Sequence, residues 1–277
     1  MPISVTCPHC GLETTVADRY AGQPGSCSRC GKPIVYPPPK PASKVWILII
    51  GLAVLATMVL CGILQSPPAA REAARRVQCQ NNLRQIGLAL LAYEATHGAF
   101  PPAVYTDDHG KPTISWRVAI LPYMEHMDLY RAFDAKQSWD SPKNRVPGNI
   151  HLEVFRCPSD PGATAGPAET NYVRIVGKDT VGGMPNEAVK LSDITDGPAN
   201  TIMVVEVSGL HIPWAEPRDV TVKEFTELIA KGRASHHSGG FQAVMADGSV
   251  HFISYGIGPK TLRALLLRND GQPVGDY

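Results

Sequence analysis

The sequence predicts an α+β chain, in which a helix with one apolar face packs on a sheet and a small four-cysteine module lies ahead of it. Three observations predict this. Two Cys-x2-Cys pairs lie within the first 30 residues, an uncharged apolar run of 20 residues follows from Val45 to Leu64, and a second helical stretch with one apolar stripe leads into a chain ending in a Gly-marked hairpin. These features divide the 277 residues into a module at 1–36, a Pro-rich linker at 37–44, an apolar helix at 45–65 and an α+β domain at 66–277.

In the first module, Cys7-Pro-His-Cys10 and Cys27-Ser-Arg-Cys30 are each followed by a glycine, Gly11 and Gly31. Four thiolates at C-x2-C-x16-C-x2-C spacing suit a tetrahedral Zn²⁺, and the glycines suit the tight turns after each pair. So short a segment has no large core, so structural zinc is expected to hold the fold. Cys7, Cys10, Cys27 and Cys30 are the expected ligands, and His9 is read as a surface residue. The linker YPPPKPASK is read as a stiff spacer.

The run VWILIIGLAVLATMVLCGIL matches a hydrocarbon core of about 30 Å at 1.5 Å per residue, so a transmembrane helix is expected there, with the lipid bilayer as a partner. Basic residues flank it evenly and do not orient it. Zinc thiolates favour a reducing compartment, which sets the expectation of a single-pass inner-membrane protein with a cytoplasmic N-terminus and an extracytoplasmic C-terminal domain. Under that topology the two cysteines beyond the span, Cys79 and Cys157, are expected to form a disulfide.

Beyond the span, Ser66-Pro67-Pro68 suggests a helix restart capped by Ser66. In AAREAARRVQCQNNLRQIGLALLAYEATHG, Leu83, Ile86, Leu90 and Tyr93 make one apolar stripe and Gly98 stands at the C-terminal cap. Near the C-terminus Asp247-Gly248 reads as a two-residue type I′ turn pairing Met245 with Val250 and Ala243 with Phe252. Thr221 to Glu224 reads as a capping box, and Pro259 as the start of a helix carrying Leu262, Leu265 and Leu266.

Several blocks resemble one bacterial family: the helix just quoted, SWRVAILPYMEHMDLYRAFD, WDSP, VFRCPSD, TNYVRIVG, LSDITDGPANTIMVVEV and HSGGFQAVMADGSVHFIS. They are similar to the prepilin-type H-x9-DG envelope proteins of unknown function, over roughly residues 67 to 260. The resemblance implies a pilin or pseudopilin-like fold at the cell envelope, a long N-terminal helix made of the membrane span plus its extension and packed on an antiparallel sheet. Here a zinc-ribbon module stands in place of the prepilin leader, and the Gly and Glu of a prepilin-peptidase site are lacking.

The signature residues are His237, Asp247 and Gly248. Asp247 has a structural explanation in its turn; the rival is a metal or ligand site built from His236, His237, Asp247 and His251. Asp193, Asp196 and Asn200 similarly read as turn residues, with calcium as the alternative. No nucleophile elbow, phosphate loop, dinucleotide fingerprint or H-E-x-x-H motif occurs, and the 26 Lys+Arg against 25 Asp+Glu give no reason to expect a nucleic-acid partner. The expected function is therefore non-catalytic: a membrane-anchored envelope protein with a structural or interaction role and protein partners, in a pseudopilus-like or secretion-associated assembly. The alternative is an extracytoplasmic module that binds a carbohydrate or peptide and is linked across the membrane to a cytoplasmic zinc ribbon.

Overall fold

The structure, a computed structural model, describes residues 3–38, 44–64, 68–161 and 168–275. It divides into two compact units, Met1–Ser66 and Pro67–Tyr277.

In the first unit, β1 (Ile3–Thr6) pairs antiparallel with β2 (Glu13–Val16), and β3 (Pro24–Ser26) with β4 (Pro33–Val35). Each strand has only three or four residues, and the buried core is limited to Val5, Cys7, Cys27 and Ile34 with a few half-buried neighbours. Residues 39–43 of the expected linker lie outside the described residues. α1 (Lys44–Leu64) follows, and its side chains from Leu48 to Val59 are exposed.

The membrane span expected over 45–65 does not stand: among the described residues, no helix is long and apolar enough to cross a membrane. The single-pass inner-membrane location, and the cytoplasmic and extracytoplasmic sides assigned from it, fall with the span. The fold expectation is corrected too. The chain is α+β, but its N-terminal region is strands, and the long helix on the sheet is α2 (Pro68–His97) alone, not a membrane helix with its extension. The Ser66 cap lies outside the described residues.

In the second unit, the hairpin β5 (Val104–Thr106) and β6 (Pro112–Ser115) follows α2. Next come the short helices α3 (Trp116–Ala119), α4 (Met127–Ala132) and α5 (Pro142–Gly148). The strands that follow are β7 (Glu169–Thr170), β8 (Tyr172–Val173), β9 (Ile175–Val176), β10 (Ile202–Glu206), β11 (Ile212–Pro213) and β12 (Val220–Thr221). The chain closes with α6 (Val222–Ala230), β13 (Gly240–Met245), β14 (Val250–Ser254) and α7 (Pro259–Leu266).

The central sheet runs β14-β13-β10-β8, antiparallel throughout. Leu83, Ile86 and Leu90 of α2 are fully buried in one core together with Val204 and Val244. The helix comes close because residue 87 is glycine: a Cβ there would stand 2.7 Å from Val244 Cγ2. The opposite face of the sheet, with Val205, Phe241, Ala243 and Ile253, forms a second core with Phe225 of α6 and Leu262, Leu265 and Leu266 of α7. All six residues of β13 are buried for this reason. The capping box of α6 is realised, with the Glu224 amide donating to Thr221 Oγ1 at 3.2 Å and the Thr221 amide to Glu224 Oε2 at 2.8 Å.

The hairpin turn differs from the type I′ expectation. Only Gly248 has a positive φ, 87°. Its amide donates to the Met245 carbonyl at 2.9 Å and the Met245 amide donates to the Ser249 carbonyl at 2.8 Å, a three-residue loop with glycine in the left-handed position. The register moves by one residue, so Val244 faces Val250 and Ala243 faces His251. A one-residue slip exchanges the faces of a strand, which puts Gln242, Val244, Val250 and Phe252 on the α2 side.

Candidate metal centres

The first centre is built by two matching turns. The Gly11 amide donates to the Cys7 carbonyl at 3.0 Å and the Gly31 amide to the Cys27 carbonyl at 2.9 Å, with φ of 71° and 66° at the glycines. These turns bring Cys7, Cys10, Cys27 and Cys30 together, all four sulfurs lying within 4.8 Å of one another. Cys7 and Cys30 sulfurs are 3.7 Å apart, and those of Cys10 and Cys27 3.6 Å. Tetrahedral bonds of about 2.3 Å would space sulfurs at about 3.8 Å, so the four are a possible metal site. The backbone amides of Cys30 and Arg29 hold the Cys27 thiol down at about 6, while Cys10 and Cys30 move up, burial and the neighbouring thiols outweighing the backbone amides that favour their thiolates.

The second cluster lies in the other unit, between α2 and the sheet. Cys79 comes from α2, Cys157 from the loop after the 3-10 turn Glu153–Phe155, Glu206 from the end of β10 and His237 from the segment entering β13. Their four ligating atoms also lie within 4.8 Å of one another. Cys79, Cys157 and Glu206 are 0% exposed and His237 2%. His237 Nε2 is 3.5 Å from Cys157 Sγ and 3.6 Å from Glu206 Oε1. Its other nitrogen, Nδ1, is 2.6 Å from Glu72 Oε1. Glu72 is held in turn by Arg75 Nη2 at 2.8 Å and by the Ser159 hydroxyl at 3.0 Å. The Tyr172 hydroxyl donates to Cys79 Sγ at 3.2 Å.

Proton affinities within the cluster are pulled apart. The neighbouring Cys79 thiol, and then His237, bring Cys157 down to about 4 against burial. Cys79 moves up, because it shares its proton with Cys157 and is buried. Burial first, then the Cys157 charge, pushes Glu206 up to about 8. Burial opposes a charge on His237, but Cys157, Glu206 and Glu72 outweigh it and raise that imidazole to about 9.

The expected Cys79–Cys157 pair is thus brought together by the fold, but as two free thiols. Each sulfur already has a partner, Cys79 in Tyr172 and Cys157 in His237. Within the H-x9-DG signature, His237 belongs to this cluster and Asp247 does not. Asp247 accepts from the Ser249 amide at 2.9 Å and the Ser249 hydroxyl at 2.6 Å, which makes it a turn residue, and Gly248 supplies the positive φ beside it. His236 is 3.7 Å from Asp160 and His251 Nε2 is 3.1 Å from Ser249 Oγ, so neither joins His237. Asp193 caps Lys190, and Asp196 accepts from the Asp270 and Gly271 amides, leaving turns where calcium was the alternative.

Residues 68–227 and 223–260 match the model of a family described as a protein of unknown function, DUF1559. The chain belongs to the DUF1559 family. The match covers α2, the central sheet and all four residues of the second cluster, so that cluster lies inside the DUF1559 domain while the first centre precedes it. No curated protein and no solved structure matches the chain.

Sequence reasoning did not single out Glu72 and Glu206. A signal existed for each: Glu72 and Cys79 are seven residues apart, hence on one face of α2, and Glu206 is the single charge in the buried strand Ile202–Glu206.

Proposed function

We propose that this chain is a non-catalytic interaction protein whose N-terminal module is a structural zinc ribbon that docks a protein partner, joined to the DUF1559 domain. The carrying observation is the four-sulfur cluster at tetrahedral spacing, set in a module whose own core is a handful of side chains. Two-stranded sheets of this length do not persist in water unaided, so binding of Zn²⁺ supplies the folding free energy. Four protein thiolates complete the coordination of zinc and keep no open position, which suits a structural role rather than catalysis. Tyr20 is 44% and Val35 72% exposed, and the Arg19 guanidinium lies 5.2 Å from the centre of the Tyr20 ring. An exposed tyrosine ring beside an arginine is a feature of protein contact surfaces.

The test uses the full chain. Crosslinking and co-purification should recover a stoichiometric protein partner with the natural sequence. Cys27→Ser should lose that partner together with one zinc, and Tyr20→Ala should lose the partner and keep the zinc. Recovery unaffected by both variants, or no zinc at the four cysteines, would refute the reading.

A further inference from the structure

We propose that Cys79, Cys157, His237 and Glu206 form a second, closed Zn²⁺ site inside the DUF1559 domain, with Glu72 as the residue that orients His237. Four observations converge on it.

The first is geometry. Zinc bonds of about 2.3 Å to sulfur, 2.0–2.1 Å to imidazole and 2.0–2.2 Å to carboxylate place tetrahedral neighbours about 3.6 Å apart for S···N and about 3.4 Å for N···O. The structure has 3.5 Å from Cys157 Sγ to His237 Nε2 and 3.6 Å from His237 Nε2 to Glu206 Oε1. The second is the orphaned acceptor. Glu206 Oε1 is buried and accepts no hydrogen bond of ordinary geometry among the described residues. A buried carboxylate oxygen without a donor is costly, and a cation at the centre of the cluster would satisfy it. The third is charge. Two sulfurs and a carboxylate converge in a buried space, and a divalent ion is what would let all three bind there as anions. The fourth is the shell around them. His237 turns its second nitrogen to Glu72 at 2.6 Å, and Arg75 and Ser159 hold Glu72 in place. A carboxylate behind a histidine fixes the ring and its tautomer with Nε2 facing the ion.

The same Cys157–His237–Glu72 order could be read as a nucleophile, base and orienting carboxylate. Burial argues against that reading: Cys157 is 0% exposed, and its sulfur faces Cys79 and His237 instead of a cleft. Two thiolates with one nitrogen and one oxygen select a borderline-soft ion, and Zn²⁺ fits that donor set.

The full-length protein, purified with Zn²⁺ in the medium, should hold two zinc ions per chain. X-ray absorption on this natural sequence should give three sulfurs per zinc on average, against four if the ribbon alone is loaded. A full-length variant with Cys7, Cys10, Cys27 and Cys30 all changed to Ser should retain one ion. Loaded with Co²⁺, that variant should show thiolate charge-transfer absorbance about one third that of the cobalt-loaded natural protein, from two Co–S bonds instead of six. In the same background His237→Leu should lose the ion, while His237→Cys, which restores a ligand, should keep it. Peptide-resolved alkylation should find Cys79 and Cys157 protected until a chelator is added. One zinc with four sulfurs in the natural protein would overturn the proposal. So would thiols that react without chelator, or that are released only by a reductant, the latter marking a disulfide.

Discussion

Asp219 offers a sharp test of what holds the DUF1559 domain together. Its carboxylate is fully buried and receives the Arg117 guanidinium at 2.7 Å, the Arg174 amide at 2.8 Å and Trp116 Nε1 at 3.1 Å. Arg117 is equally buried, so the two charges have no solvent to fall back on. Asp219→Asn keeps the shape and an acceptor oxygen but leaves the guanidinium uncompensated, a loss of about 3–5 kcal/mol for a broken buried pair. In a domain of this size 1 kcal/mol corresponds to roughly 2–4 °C, so the midpoint should fall by about 6–20 °C. Urea and thermal unfolding of the full chain, followed by tryptophan fluorescence, measures this, since Trp116 and Trp214 are both buried in the domain. The second arm is Arg117→Met combined with Asp219→Asn. With both charges gone, the double variant should be markedly more stable than the sum of the single losses requires. A fall below about 2 °C for Asp219→Asn, or additive losses in the pair, would refute the assignment of this ion pair as the domain's internal tie.

Other perturbations follow from the same packing. Gly87→Ala gains helix propensity but drives a methyl to 2.7 Å from Val244 Cγ2; a net loss of about 1–2 kcal/mol is expected. Added to Val244→Ala the same change should cost almost nothing, and equal cost in both backgrounds would disprove the close approach. Leu90→Ala empties a fully buried position between α2 and the sheet, for a loss of about 2–5 kcal/mol in chemical unfolding with an unchanged denaturant slope. Glu187 is held below the usual carboxylate range first by the Met184 amide and then by Arg268. A lowered folded value gives stability that is complete above the unfolded value of about 4.3 and fades as pH falls through the folded one. Glu187→Gln should therefore flatten part of the acid limb of a stability-against-pH curve and leave its neutral plateau lower.

How much of this could be read along the chain depends on the distance over which each feature is determined. The four-cysteine cluster was legible because its members sit in two local turns: the sequence spacing of Cys7, Cys10, Cys27 and Cys30 and the glycines at 11 and 31 are the same facts as the turn geometry. The apolar stripe of α2 and the capping box at Thr221 are local in the same sense, since they repeat within one or two helical turns. The hairpin was legible as a hairpin and misjudged by one residue. Asp-Gly fits a two-residue and a three-residue loop equally well, and packing of Val244 and Val250 beneath α2 accompanies the observed register.

What the sequence by itself determined was therefore periodicity, turn chemistry and one possible metal site whose four cysteines lie close in the chain. It did not determine a membrane span; an uncharged run supplies hydropathy, and the described helices do not meet the requirement. Only the tertiary structure decided the second cluster. Cys79 and His237 are 158 positions apart in the sequence; Glu72 shares α2 with Cys79, and Cys157 and Glu206 come from two further places on the chain. No local pattern links α2 to the other three stretches, because Cys79 and Glu72 meet Cys157, Glu206 and His237 only through the packing of α2 on the sheet.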